Sequence, residues 1–227
     1  MKQIGKSNGL VNKDTREQRL LRQEFGHLSA RLIHDLPATR QGMRLIGFCA
    51  GNPGEGCTSV ATNYAVFCGQ QGIRTTLVET GLRAPTLAGF FGVSEGPGLW
   101  DLLDGTAEPQ EVVRHGVAEG VNLIPGGTAP RDIVLAGESF DLSGVFDFLS
   151  LHNDLVVVDV PPLTSSPEAN LILPQLDGVV LVVQANRSRL CALERTVEAV
   201  NQLDVRIVGS VLNKMRYDLP SAIDRVL

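Results

Sequence analysis

The chain has 227 residues, 43% of them hydrophobic and 20% charged, with a formal net charge of −5. That length and composition suit one large or two small globular domains with a sizeable core. The acidic balance, with no run of lysines or arginines, excludes general nucleic-acid binding, and no apolar stretch approaches the ~20 residues that span a bilayer. Residues 1–40 are polar and hold no signal-peptide h-region. The cysteines, Cys49, Cys57, Cys68 and Cys191, lack metal-like spacing. Cys49 and Cys68 fall in apolar runs and read as small core residues, so a reduced, cytosolic compartment fits best.

In chain order, residues 1–14 read as a flexible leader. From Asp14 to Asp35 the spacing predicts a helix, with Leu21, Phe25, Leu28 and Leu32 forming one apolar stripe, and Pro37 ends it. The stripe suits either packing on its own domain or an arm used for assembly. Residues 1–42 are accordingly read as leader and helical arm, and 43–227 as the main domain. From Met43 short apolar runs alternate with helical segments, the rhythm of a mainly parallel α/β sheet.

Leu45–Ala50 reads as a buried strand and Thr58 to about Gln70 as a helix. Between them lies Gly51-Asn-Pro-Gly-Glu-Gly-Cys57-Thr58. Strand, glycine-rich turn and helix N-terminus make the phosphate cradle G-x-x-x-x-G-K-[ST], in which backbone N–H groups converge on an anion at the positive end of a helix. Gly51, Gly54, Glu55, Gly56, Cys57, Thr58 and Ser59 are therefore candidate nucleotide-binding residues. One required residue is missing: Cys57 stands where a lysine should reach the β- and γ-phosphates. At a helix N-terminus Cys57 could become a reactive thiolate; the alternative is a small neutral residue.

Further along, Arg74–Glu79 reads as a strand, and residues 81–105 as small helices punctuated by glycine and proline. Val121–Pro125 is a strand, Ser139–Leu151 a helix, and Leu155–Asp159 a β-branched run suited to a sheet centre. Gly178–Gln184 is a strand, Leu190–Leu203 a helix, and Arg206–Asn213 the last strand. In a phosphate-binding sheet, carboxylates belong at strand ends beside the cradle. Asp159, closing its strand before Val160-Pro161-Pro162, is placed to hold Mg²⁺ with Thr58.

These motifs, in this order and spacing, resemble the bacterial tyrosine kinase (BY-kinase) family: the CpsD/CapB-like cytoplasmic domain of polysaccharide co-polymerases, within the MinD/ParA deviant-Walker P-loop ATPases. The resemblance runs from about Met43 to Lys214. It is carried by Pro53–Gly56, Leu82-Arg83-Ala-Pro85 with Leu87, Phe91–Val93, Pro97–Gly105, Leu123–Gly126, Asp159–Pro162, Asp177–Val183 and Gly209–Asn213. It implies a P-loop NTPase-like three-layer sandwich, ATP or ADP with Mg²⁺ as cofactor, and Asn213 near the adenine. It also implies a paired acidic motif, D-x-D, that helps hold the metal and activate the attacking hydroxyl.

Here that motif reads Glu79-Thr80-Gly81, so Glu79 keeps a carboxylate on a longer arm and Gly81 removes the second. Asp159 and Glu79 are thus the catalytic candidates that remain. The family's tyrosine-rich tail is absent, since the chain ends Tyr217-Asp-Leu-Pro-Ser-Ala-Ile-Asp-Arg-Val-Leu227. Its assembly motif E-x-x-R-x-x-R is eroded to Glu24, His27 and Ala30. A charge-assisted hydrogen bond is worth roughly 1.5–3 kcal/mol, so the Lys-to-Cys change weakens nucleotide binding by about 10- to 100-fold. Losing a transition-state donor commonly costs about 10²–10³ in rate.

The resulting expectation is a degenerate member, a pseudokinase of exopolysaccharide, capsule or adhesin polysaccharide synthesis and export. It would be cytoplasmic, peripheral to the inner membrane through a membrane-embedded chain-length or co-polymerase partner, and able to form a homo-oligomer. The alternatives are an active tyrosine autokinase in which Lys214 or Arg83 replaces the lysine, and a MinD/ParA-like positioning ATPase. The latter fits less well, because no basic amphipathic C-terminal helix is visible.

Overall fold

Three apolar runs, two of them valine-rich, make the centre of the sheet because neither face needs polar residues. In β1 (Arg44–Ala50), Leu45 and Cys49 point into one apolar cluster, while Ile46, Phe48 and Ala50 point into another. Val156 and Val158 alternate in the same way with Leu155 and Val157 along β5 (Leu155–Asp159), as do Val179 and Leu181 with Val180 and Val182 in β6 (Gly178–Gln184). Period-two side chains buried on both faces require helices above and below. The computed structural model describes residues 16–36, 38–81, 85–128 and 141–214. Residues 1–15, Pro37, Leu82-Arg83-Ala84, residues 129–140 and the tail from residue 215 lie outside them.

The sheet has seven strands in the order β3-β4-β2-β5-β1-β6-β7, with β2 at Thr75–Glu79, β3 at Arg114–Ala118, β4 at Val121–Ile124 and β7 at Ile207–Asn213. Every neighbouring pair is parallel except β3 with β4, which is antiparallel. The protein is thus a mixed α/β fold with a mostly parallel sheet. Strand β3 is absent from the sequence reading, because Arg-His-Gly-Val-Ala is polar and half-exposed at a sheet edge.

Helices cover both faces. On one, α1 (Arg16–Asp35) and α2 (Cys57–Gln70) share a cluster in which Phe25 meets Tyr64 edge-on, with centroids 5.7 Å apart. Leu32 and Leu36 are buried there, while Leu20 and Leu21 at the start of α1 stay exposed. Ser29 and the Tyr64 hydroxyl hydrogen-bond at 3.0 Å between the two helices. On the other face lie α6 (Ser143–Ser150), α7 (Ala169–Ile172) and α8 (Leu190–Gln202).

The segment between β2 and β3 forms α3 (Leu87–Phe91), α4 (Leu99–Leu103) and α5 (Pro109–Val112). The Pro97–Gly105 motif proves to be a clasp. Asp101 Oδ2 accepts the N–H groups of Gly98 at 2.8 Å and Thr128 at 2.9 Å, tying the start of α4 to the loop after β4. Any Cβ on Gly98 would fall 2.2 Å from Pro125 O, so only glycine allows the approach.

Candidate functional site

The C-terminal ends of β1, β2 and β5 open into one cleft of about 420 Å³, where ligands gather in open parallel sheets. Register places Glu79 directly beside Asp159, though 80 residues separate them. The loop after β1 forms the rim. Its glycines adopt the left-handed conformation at Gly54 (φ +81°) and Gly56 (φ +94°), which side-chain-bearing residues rarely adopt. At Gly56 a Cβ would also lie 2.2 Å from Asn213 Nδ2.

The rim is tied down by the chain itself. Glu55 is buried; its Oε2 accepts the Asn52 N–H at 3.1 Å and its Oε1 accepts Ser188 Oγ at 2.5 Å. Asn213 Nδ2 donates to Glu55 O at 2.9 Å, and Lys214 Nζ donates to Gly54 O at 2.8 Å. Gly51 O accepts the N–H and hydroxyl of Thr164. Asn213, expected near an adenine, thus has its amide engaged in holding the loop. Ser59 lies exposed on α2, away from the cleft lining.

Cys57 starts α2, lines the cleft and is buried, with Sγ 3.8 Å from Val160 O. Burial, then the charge of Asp159, pushes its thiol well above the ordinary range. Of the two readings of Cys57, a reactive thiolate or a small neutral residue, this burial favours the second: desolvation outweighs the helix field. With Cys49 and Cys68 equally buried and Cys191 exposed, a thiol reagent should label Cys191 alone in the folded protein. Cys57 should react no faster than Cys68; rapid labelling of Cys57, read by mass spectrometry, contradicts this burial.

Asp159 is 7% exposed, and its carboxyl is pushed up to about 7. Burial is the main cause; a hydrogen bond with Thr58 opposes it, the Glu79 charge adds to it, and a hydrogen bond with Cys57 again opposes it. Glu79 is placed differently from a metal-side base. Its Oε1 accepts the N–H groups of Thr86 and Leu87 (3.1 Å for Leu87), and its Oε2 accepts that of Gly126 at 3.1 Å. Gly81, at the position of the family's second aspartate, lines the cleft without a side chain to offer.

Sequence reasoning missed Glu168. It lies 2% exposed in the cleft wall and makes no side-chain hydrogen bond or ion pair among the described residues. Its signal was only a lone charge in the turn after the two prolines. Ser188, which anchors Glu55, sits in the β6–α8 turn and carried no signal at all. Among the described residues lining the cleft there is no lysine, arginine or histidine.

These features allow a test of fit to a nucleotide with Mg²⁺. The left-handed glycines and the adjoining Thr58 and Asp159 fit the phosphate loop and one metal. The charge does not fit, because the ammonium position is a buried thiol and the walls are acidic. No group of three or more metal-ligating side chains occurs among the described residues, so metal binding here would need a ligand's own oxygens. No helix among them is long and apolar enough to cross a membrane.

No family model matches the chain. Among curated proteins it is 28% identical over 77% of its length to EpsB of Ralstonia nicotianae, named as a candidate tyrosine-protein kinase, and spans 23% of that protein. It is 24% identical to the tyrosine-protein kinase CpsD of Streptococcus agalactiae, covering 76% of each chain. Among solved structures, the chimerical protein CapA2B2 superposes with a TM-score of 0.77 at 22% identity, covering 86% of this chain and 85% of that one. MinD of Pyrococcus horikoshii, solved with Mg-ADP, superposes at 0.65 and 22% identity over 81% of this chain and 76% of that one.

Proposed function

Starting from this chain's kinship with the CpsD/CapB-like bacterial tyrosine kinases, within the MinD/ParA group of P-loop ATPases, we propose that it is a catalytically impaired member of that group. It acts in exopolysaccharide, capsule or adhesin polysaccharide synthesis and export as a cytoplasmic partner or regulator of a membrane-embedded chain-length or co-polymerase protein. One observation carries the reading. Cys57 occupies the place of the phosphate-reaching lysine, is buried under Val160 O, and leaves a cleft whose described walls bear carboxyl groups and no cation.

What remains is binding machinery of reduced strength. The loop amides would receive phosphate oxygens, and Thr58 with Asp159 would hold Mg²⁺, which when bound would neutralise phosphate charge. Glu79 cannot easily serve as the base for an incoming hydroxyl, since backbone donors occupy both its oxygens. A fold retained without its chemistry still presents an interaction surface.

The test is label transfer from γ-labelled ATP with Mg²⁺, using the whole chain and an Asp159→Asn control. The expected result is no transfer above the control. Robust transfer by the wild type that the control abolishes overturns the proposal. Co-purification with the cytoplasmic segments of the membrane partner tests the docking half; a chain that never associates counts against it. A second reading, an active autokinase, would need a substitute cation; Lys214, whose Nζ donates to Gly54 O, is the candidate among the described residues. The other candidate, Arg83, lies outside the described residues.

A further inference from the structure

Among the described residues, positive charge that does not line the cleft approaches the phosphate loop. Two separate turns deliver it. Lys214 follows β7 in the left-handed conformation (φ +57°), which residues with a Cβ adopt uncommonly and which is over-represented at functional sites. That conformation is held by the Lys214 N–H donating to Asn213 Oδ1 at 2.9 Å. It turns the side chain back over the loop, placing Nζ 2.8 Å from Gly54 O and Cε 3.5 Å from where a Cβ on Gly56 would stand.

Arg187, in the β6–α8 turn, follows Asn186, itself left-handed (φ +59°). Its Nη1 lies 3.9 Å from the Cβ position of Gly54. Both side chains are exposed, and neither lines the cleft. Two cations from different turns thus converge on one glycine. Exposed like charges on one loop crest repel weakly, screened by water and salt, and a bound anion offsets that repulsion. The ammonium spends one of its three N–H groups on Gly54 O and keeps two for a ligand, and a guanidinium presents a planar fork suited to phosphate.

We propose that Lys214 and Arg187 form an outer phosphate clamp at the crest of the loop, holding the phosphates of a nucleoside di- or triphosphate in place of the missing interior lysine. The clamp deepens the reading of a binding fold without transfer chemistry and rests on it. Charge supplied from outside the loop can hold a phosphate chain. It is not placed among Thr58, Asp159 and the cleft, where a transferring phosphoryl group would need it.

The experiment is isothermal titration of the whole chain with ADP, and separately with inorganic pyrophosphate. The variants are Lys214→Ala, Arg187→Ala and Lys214→Arg, each with its thermal midpoint recorded. Each alanine variant should weaken ADP and pyrophosphate in parallel by roughly 5- to 20-fold, on the scale of one charge-assisted hydrogen bond. Affinity should also fall less steeply with salt. Lys214→Arg should keep most of the affinity, and a purely structural pin on Gly54 O would instead leave the salt dependence of binding unchanged in Lys214→Ala. ADP affinity within twofold of wild type in both alanine variants overturns the clamp, as does a wild type that binds neither probe. Label transfer that depends on Lys214 would leave the clamp standing and remove the reading beneath it. Absence of both transfer and binding would do the reverse.

Discussion

Asp159→Asn should make the protein more stable at pH 8 and flatten its stability between about pH 4 and pH 8. The carboxyl is 7% exposed and sits at about 7, chiefly because burial penalises its charged form, with the Glu79 charge adding to the effect. In the unfolded chain the group titrates near an ordinary ~3.9. Between those values the folded state holds a proton that the unfolded state releases, so stability is greatest below about pH 4 and falls as pH rises through 7. Above about pH 8 both states are ionised and the profile levels. Three units correspond to roughly 4 kcal/mol at most. The amide needs partners for its two hydrogens, so a gain of about 2–3 kcal/mol is the expected size.

Urea unfolding at several pH values measures this directly. A variant less stable than wild type at pH 8, or one whose pH profile parallels the wild type's, would refute the assignment. A buried carboxyl that destabilises its own fold at neutral pH is the mark of a binding position. Here the position beside it that holds the lysine of the phosphate cradle is Cys57.

How much of this was legible beforehand follows from what each feature depends on. The central strands could be read because each is a short apolar run, valine-rich in β5 and β6, and the loop because its glycines sit between a strand and a helix. Strand β3 could not, since an edge strand of Arg-His-Gly-Val-Ala carries no alternation. The stripe on α1 was legible, but its covering was not: periodicity locates an apolar face without saying that Tyr64 and Phe67 lie beneath Phe25. Which of the two readings of Cys57 holds turns on depth, which position at a helix N-terminus, a sequence property, does not reveal. The same holds for Glu79 and Glu168, whose surroundings are set by strand order, which places β2 against β5 and packs the turn after β5 over the cleft.

Glu79→Ala should cause a large loss of stability, roughly 3–5 kcal/mol, because it strands buried donors rather than merely deleting a contact. The Glu79 carboxyl is 3% exposed and receives three N–H groups. Those of Thr86 and Leu87 open α3, where intrahelical partners are lacking and a negative charge is favoured. That of Gly126 begins the loop after β4, which Asp101 also clasps. One side chain therefore joins β2, α3 and β4, and the longer arm that distinguishes Glu79 from an aspartate is what spans them.

Glu79→Asp should consequently lose much of the same stability despite keeping the charge. Glu79→Gln, which retains one acceptor oxygen, should fall between wild type and alanine. Amide exchange at Thr86, Leu87 and Gly126 should quicken together in the alanine variant. Removing the Glu79 charge also relieves Asp159, so Glu79→Gln and Asp159→Asn should combine non-additively at pH 8, with the double variant gaining less from the second change than wild type does. If Glu79→Ala unfolds within about 0.5 kcal/mol of wild type, the three amides do not depend on this carboxyl, and the residue returns to the list of groups that could serve a bound metal.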